Sequence, residues 1–178
     1  MRLDDLNRLD DGAAVRQLLQ CCGSSRWAAR MAASRPFGDL AAMVQAADRV
    51  FATLERADWL EAFGAHPAIG ASGAGEAGKA GGGAGASQVE GWASHEQQLV
   101  ADATDATRRR LADLNRAYEV RFGYIFIVCA TGKTGAEMLA VLERRLDNDP
   151  ESELQIAANE QQKITHLRLQ KLVDSRQD

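Results

Sequence analysis

Residues 122–138 read FGYIFIVCATGKTGAEM, an apolar run that meets Gly132-Lys133-Thr134. The last three residues resemble the end of a phosphate-binding loop, which requires Gly-x-x-x-x-Gly-Lys-Ser/Thr. Counting back from Gly132 places the first glycine of that motif at position 127, and Ile127 stands there. A β-branched side chain does not suit the tight early turn of such a loop. The loop also needs a parallel sheet behind it, and YIFIVCA (124–130) is the one strand-like run in the chain. Thr134 followed by Glu137 has the spacing of a capping box, so GKT marks the start of a helix. Tyr124 to Ala130 is then expected to be a buried, extended segment with no strand beside it. Its backbone N–H and C=O groups need other partners. A polar ligand would supply them, and so would helix ends with water.

On either side of this segment the pattern is helical. Residues 13–21 are short and amphipathic and stop at Gly23. Ser24 or Ser25 is placed to cap a second helix carrying Trp27 and Met31, which ends before Pro36. Asp39 opens DLAAMVQAADRVFATLERA (39–57), where Leu40, Met43, Val44, Ala47, Val50, Phe51 and Leu54 recur at three and four. A turn or short helix carries Trp59 and Leu60. A further helical pattern runs from Gln88 to Tyr118 with a break near Ala103, and Arg108-Arg109-Arg110 reads as a solvated face. The helix opened by Thr134 reaches Leu146. Asp149-Pro150 is a cap followed by a first-turn proline and starts a last helix to about Val173. The expectation is an all-α fold, one compact domain over 1–178 with seven or eight helices and one short extended segment. The stretch 70–87, GASGAGEAGKAGGGAGAS, lacks bulky side chains and cannot pack a core. It reads as a lid beside a site or as a tolerated insertion.

The 178 residues carry 21 basic and 25 acidic side chains, a formal net charge of -4. That balance argues against a dedicated nucleic-acid binder. No run is long enough to cross a bilayer, and MRLDDLNRLDD lacks the apolar core of a signal peptide. Cys21, Cys22 and Cys129 have neither zinc-site nor disulfide-framework spacing, and a reducing compartment is the simplest reading. The three histidines, His66, His95 and His166, show no metal-ligand pattern, and no serine or cysteine has the setting of a covalent nucleophile. His66 lies between Gly64 and Pro67 at the rim of the glycine-rich stretch. Pro67 restricts it to extended backbone. It suits proton transfer near neutrality or serves as a turn histidine. Glu96 and Gln97 read as helix-surface polar groups or as contacts for a substrate rich in N–H and C=O. Arg168 stands between Leu167 and Leu169 and is placed to flank an apolar face.

Four segments in fixed order carry a family resemblance: HPAIG (66–70), WASHEQ (92–97), LNRAYEVRFGYIFIVCATGKT (114–134) and RRLDNDPESEL…ITHLRL (144–169). Together they resemble the OHCU decarboxylases, which act on 2-oxo-4-hydroxy-4-carboxy-5-ureidoimidazoline, over nearly the whole chain. The resemblance implies an all-helical, cofactor-independent and metal-free carboxy-lyase, a cytoplasmic homodimer making (S)-allantoin in urate degradation. By the same resemblance His66 and Glu96 are catalytic. Pro67, Gln97 and Arg168 contact substrate, and Phe126, Ile127, Val128, Cys129 and Ala130 line the site with their backbone. Ala93 stands where many members have serine, HPAIG replaces HPRIG, and FGYIF replaces FGFPF. Two alternatives accompany this reading: a related decarboxylase of another ureide, and a helical module that binds a ureide or a partner without catalysis.

Overall fold

The structure, a computed structural model, describes residues 1–67 and 103–174. The described residues form eight α-helices and no strand: α1 Leu3–Arg8, α2 Asp11–Leu19, α3 Ser25–Ala33, α4 Leu40–Phe51, α5 Arg56–Gly64, α6 Asp105–Phe122, α7 Gly135–Arg145 and α8 Pro150–Val173. The all-α expectation holds for them. They fall into two compact units, 1–65 with 161–178, and 66–160. The helix α8 supplies residues to both.

In the first unit the helix starts are written in the sequence. Asp10 accepts from Ala13 N at 2.8 Å, Ser24 from Trp27 N at 3.2 Å, and Asp39 from Ala42 N at 2.7 Å. Each cap satisfies one amide that the helix itself leaves unpaired. The inward faces bury Leu6, Leu18, Trp27, Met31, Met43 and Phe63 completely, with Leu169 of α8. At Gly23, a side-chain carbon would collide with Ala65, so the turn between α2 and α3 passes too close to the end of α5 for any larger residue. Asp48 of α4 receives Gln162 Nε2 at 2.5 Å and lies 2.6 Å from His166 Nε2, both on α8.

One expectation needs correction here. The helix drawn over 39–57 is two helices: α4 ends at Phe51, and α5 begins at Arg56. Thr53 turns its hydroxyl back onto Val50 O at 2.6 Å, and Asp58 accepts from Glu55 N at 2.9 Å at the new start. Leu54 keeps the helical period yet is buried in the turn between them. The helix α1 is an addition rather than a correction, since no pattern in the sequence marks it. Six residues are too few to hold a helix in isolation. Arg35 holds this one through Leu6 O at 2.9 Å and Leu9 O at 2.6 Å. Asn7 exchanges two hydrogen bonds of 2.9 Å with the backbone of Phe37.

In the second unit Thr104 caps α6, and the helical pattern expected before the break near Ala103 lies outside the described residues. The helix continues past Tyr118 to Phe122 and stops at Gly123, whose left-handed φ of 81° lets its N–H reach Glu119 O at 2.8 Å. The capping box at Thr134 forms as expected. Glu137 N donates to Thr134 Oγ1 at 3.2 Å, and Thr134 N donates to Glu137 Oε2 at 2.7 Å. That backbone contact, first among its causes, lowers the Glu137 carboxyl below the usual carboxylate range. The charged cap therefore stabilises α7 above the unfolded carboxylate pKa, and this contribution is lost as pH falls through the lowered folded value. Asp149 caps α8 through Ser152 N at 3.0 Å. The core of this unit is Leu111, Tyr118, Phe126, Met138, Leu142 and Leu154. The expected patterns over 70–87 and 88–102 lie outside the described residues.

Candidate active site

The segment after Gly123 is buried, as its composition implies. Phe126 to Ala130 are all under a tenth exposed and take neither helix nor strand. Four aromatic rings fix its entry. Tyr118 packs on Phe122 at 4.6 Å between centroids, on Phe126 at 5.4 Å and on Tyr124 at 5.8 Å.

The question of its backbone partners has a specific answer. Arg145 Nη1 of α7 donates to Ile127 O at 2.7 Å. Cys129 N donates to Glu160 Oε2 of α8 at 2.8 Å, and Lys133 Nζ donates to Cys129 O at 2.8 Å. Charged side chains thus replace the missing neighbouring strand on this edge. All three bonds fall on odd-numbered residues. In extended backbone the N–H and C=O of one residue point to the same edge, and those of the next residue to the other. Among the described residues, no side-chain hydrogen bond falls on the backbone of Phe126 or Val128.

Behind the segment lies a charged cluster that sequence reading did not single out. Glu153 is fully buried and Arg145 is 6% exposed. Arg145 Nε and Nη2 both reach Glu153 Oε1, at 2.7 and 2.6 Å. The Tyr118 hydroxyl donates to the same oxygen, and Asn148 Nδ2 to Oε2 at 2.7 Å. The guanidinium also lies over the Phe126 ring, 4.7 Å from its centroid. Burial, then the bond to Glu153, pushes the Tyr118 hydroxyl far above its ordinary value, so it remains a donor at all working pH. The signal was present in the spacing. Arg145 follows Met138 and Leu142 at seven and three, and Glu153 precedes Ala157 by four, so both occupy inward positions.

The remaining expected residues divide among the two units. His66 follows Ala65, which closes α5. It is half-buried and non-helical, and Pro67 is exposed. Arg168, on the C-terminal half of α8, is 5% exposed, so it sits within the first unit and away from bulk water. Its charge partly opposes the burial that raises the thiols of Cys21 and Cys22, the latter to about 11. Those cysteines stay protonated at neutrality and are poor nucleophiles. All three cysteines are free and buried. Glu96 and Gln97 lie outside the described residues. A surface groove of about 550 Å³ runs along α7 beside Lys133, Glu137 and Arg144, and none of the expected site residues lines it. Among the described residues, no group of three or more potential ligands is placed to hold a metal, and no helix is long and apolar enough to cross a membrane.

The chain is similar to several characterised proteins. It is 42% identical over 153 residues to the uric acid degradation bifunctional protein TTL of Arabidopsis thaliana, and the match spans 85% of this chain but about half, 45%, of that protein's length. It is 29% identical to the 2-oxo-4-hydroxy-4-carboxy-5-ureidoimidazoline decarboxylase of Haloferax volcanii, over 95% of this chain and 94% of that one. Its fold matches a crystal structure of OHCU decarboxylase in the presence of (S)-allantoin, with a TM-score of 0.74 at 36% identity, over 90% of this chain and 99% of the other. The family model described as OHCU decarboxylase matches residues 7–170. The chain therefore belongs to the OHCU decarboxylase family.

Proposed function

We propose that the protein converts 2-oxo-4-hydroxy-4-carboxy-5-ureidoimidazoline to (S)-allantoin and CO2 in urate degradation. The observation that carries this reading is the likeness, across 90% of this chain and 99% of the other, to a decarboxylase crystallised with (S)-allantoin. The tethering of residues 126–130 by charged side chains supports it. Arg145, Glu160 and Lys133 hold Ile127 and Cys129, and among the described residues no side chain bonds the backbone of Phe126 or Val128, whose N–H and C=O groups would be complementary to a ureide.

The substrate bears its carboxylate on a carbon that also carries a hydroxyl, next to an imine-like ring. When the carbon–carbon bond breaks, CO2 leaves and the electron pair passes into that ring, so the substrate is its own electron sink. The protein's work is to hold the carboxylate out of the ring plane and to deliver one proton to one face of the ene-like intermediate. His66 handles that proton. Glu96 and Gln97 orient the hydroxyl and ureido groups, Pro67 shapes the rim beside His66, and Arg168 holds a polar end of the substrate. A planar guanidinium suits this last role because its donors form a fixed fork. Residues 1–178 act as one catalytic domain, and the working form is a cytoplasmic homodimer.

Product binding tests the reading independently of the unstable substrate. At a hundred times its Kd, a ligand specific for the folded state stabilises it by about 2.7 kcal/mol. (S)-Allantoin should therefore raise the melting temperature, at about 2–4 °C per kcal/mol for a chain of this size, and (R)-allantoin should raise it less. Equal shifts with both enantiomers, or none with either, would speak against a site built for the (S) product.

A further inference from the structure

We propose that Arg145 is a positioning residue: it holds the 126–130 wall in the geometry that recognises the ureide, and Glu160 provides the second tether. The assignment rests on the reading of 126–130 as a substrate-facing wall. Every nitrogen of the Arg145 guanidinium is engaged. Nε and Nη2 meet Glu153, and Nη1 meets Ile127 O. Its plane covers the Phe126 ring at 4.7 Å. Arg145 therefore sets both the edge of the wall, through a carbonyl, and its face, through a ring.

The anchor is rigid because Glu153 is itself fixed from three directions, by Arg145, the Tyr118 hydroxyl and Asn148. Tyr118 belongs to α6, Arg145 to α7 and Glu153 to α8, so the cluster ties three helices of the unit to one segment. Two residues further on, Glu160 accepts the Cys129 N–H at 2.8 Å. Contacts at 127 and 129 hold the backbone on both sides of Val128. A displacement of about 1 Å at a positioned group can cost on the order of a hundredfold in rate. A lysine at 145 would keep the charge next to Glu153. It would lose the fork that meets carboxylate and carbonyl together.

The test compares Arg145→Lys with Leu111→Ala, a truncation of a fully buried core residue in the same unit that belongs to neither the Arg145 cluster nor the 126–130 segment. R145K should stay folded while kcat/KM falls about 10- to 100-fold, and the allantoin formed should lose enantiomeric excess. Hydrogen exchange should quicken at amides 127–130 and not in α6. L111A should melt earlier yet keep kcat/KM per folded molecule within about threefold. If R145K leaves kcat/KM and exchange at 127–130 unchanged, or if both variants lose activity only in proportion to lost stability, the positioning role is overturned. Failure of the underlying reading looks different. The wild-type protein would then neither turn over substrate nor bind (S)-allantoin, while R145K would still loosen 127–130.

Discussion

Replacing His66 with alanine is expected to lower the rate of OHCU decarboxylation by about 10²- to 10⁴-fold, the usual contribution of a positioned proton-transfer group, and to leave the fold intact, if His66 handles the proton as proposed. His66 is half-buried, lies outside the described helices and immediately follows α5, so its truncation removes no side chain from within a helix. The loss should appear in kcat measured on freshly generated substrate, with an unchanged far-UV circular dichroism spectrum. Asparagine at 66 preserves polarity and bulk but cannot shuttle a proton, and it should be as slow as alanine. An H66A protein that retains turnover within a few-fold of wild type would remove His66 from the chemistry.

The largest effect on stability is expected from Glu153→Ala. The carboxylate is completely buried and receives Arg145, Tyr118 and Asn148. Its removal strands a buried guanidinium and orphans a hydroxyl and an amide together. Breaking one side of a buried pair costs about 3–5 kcal/mol, a large share of the 5–15 kcal/mol typical of a folded domain. A urea titration followed by fluorescence should show the midpoint fall accordingly. The double variant Arg145→Met with Glu153→Leu should recover much of the loss, because no unpaired charge then remains inside. A cost below about 1 kcal/mol for E153A would mean that the cluster does not hold this unit together.

These two residues also mark where the sequence was readable and where it was not. His66 stood out because proline follows it and a glycine-rich stretch begins just beyond. Residues 124–130 stood out because their run is apolar and β-branched in a helical chain. Arg145 and Glu153 were overlooked because a charged residue near a helix end ordinarily faces water, and their inward register counts only once the partner carboxylate or guanidinium is known. The helices show the same division. The starts of α4, α7 and α8 were legible from Asp39, Thr134 and Asp149, whose caps are local. The short α1 was not, because its support comes from Arg35, Asn7 and Phe37, contacts made about thirty residues apart in the chain. The α4–α5 break was masked by Leu54, which continues the apolar period across a turn closed by Thr53.

The same logic resolves Gly132-Lys133-Thr134. Thr134 caps α7, and Lys133 turns back to the Cys129 carbonyl. The lysine that resembled a phosphate ligand is one more tether on residues 126–130.

The most direct test of the central claim is the appearance of optically active allantoin. Urate oxidase and hydroxyisourate hydrolase generate the unstable substrate in place, and circular dichroism follows the product with and without this protein. Spontaneous decay gives racemic allantoin and no lasting signal. Rapid growth of the (S)-allantoin signal on adding the protein is the predicted result. Folded protein that leaves the trace identical to the control would contradict the decarboxylase assignment and turn attention to another ureide substrate or to a non-catalytic role.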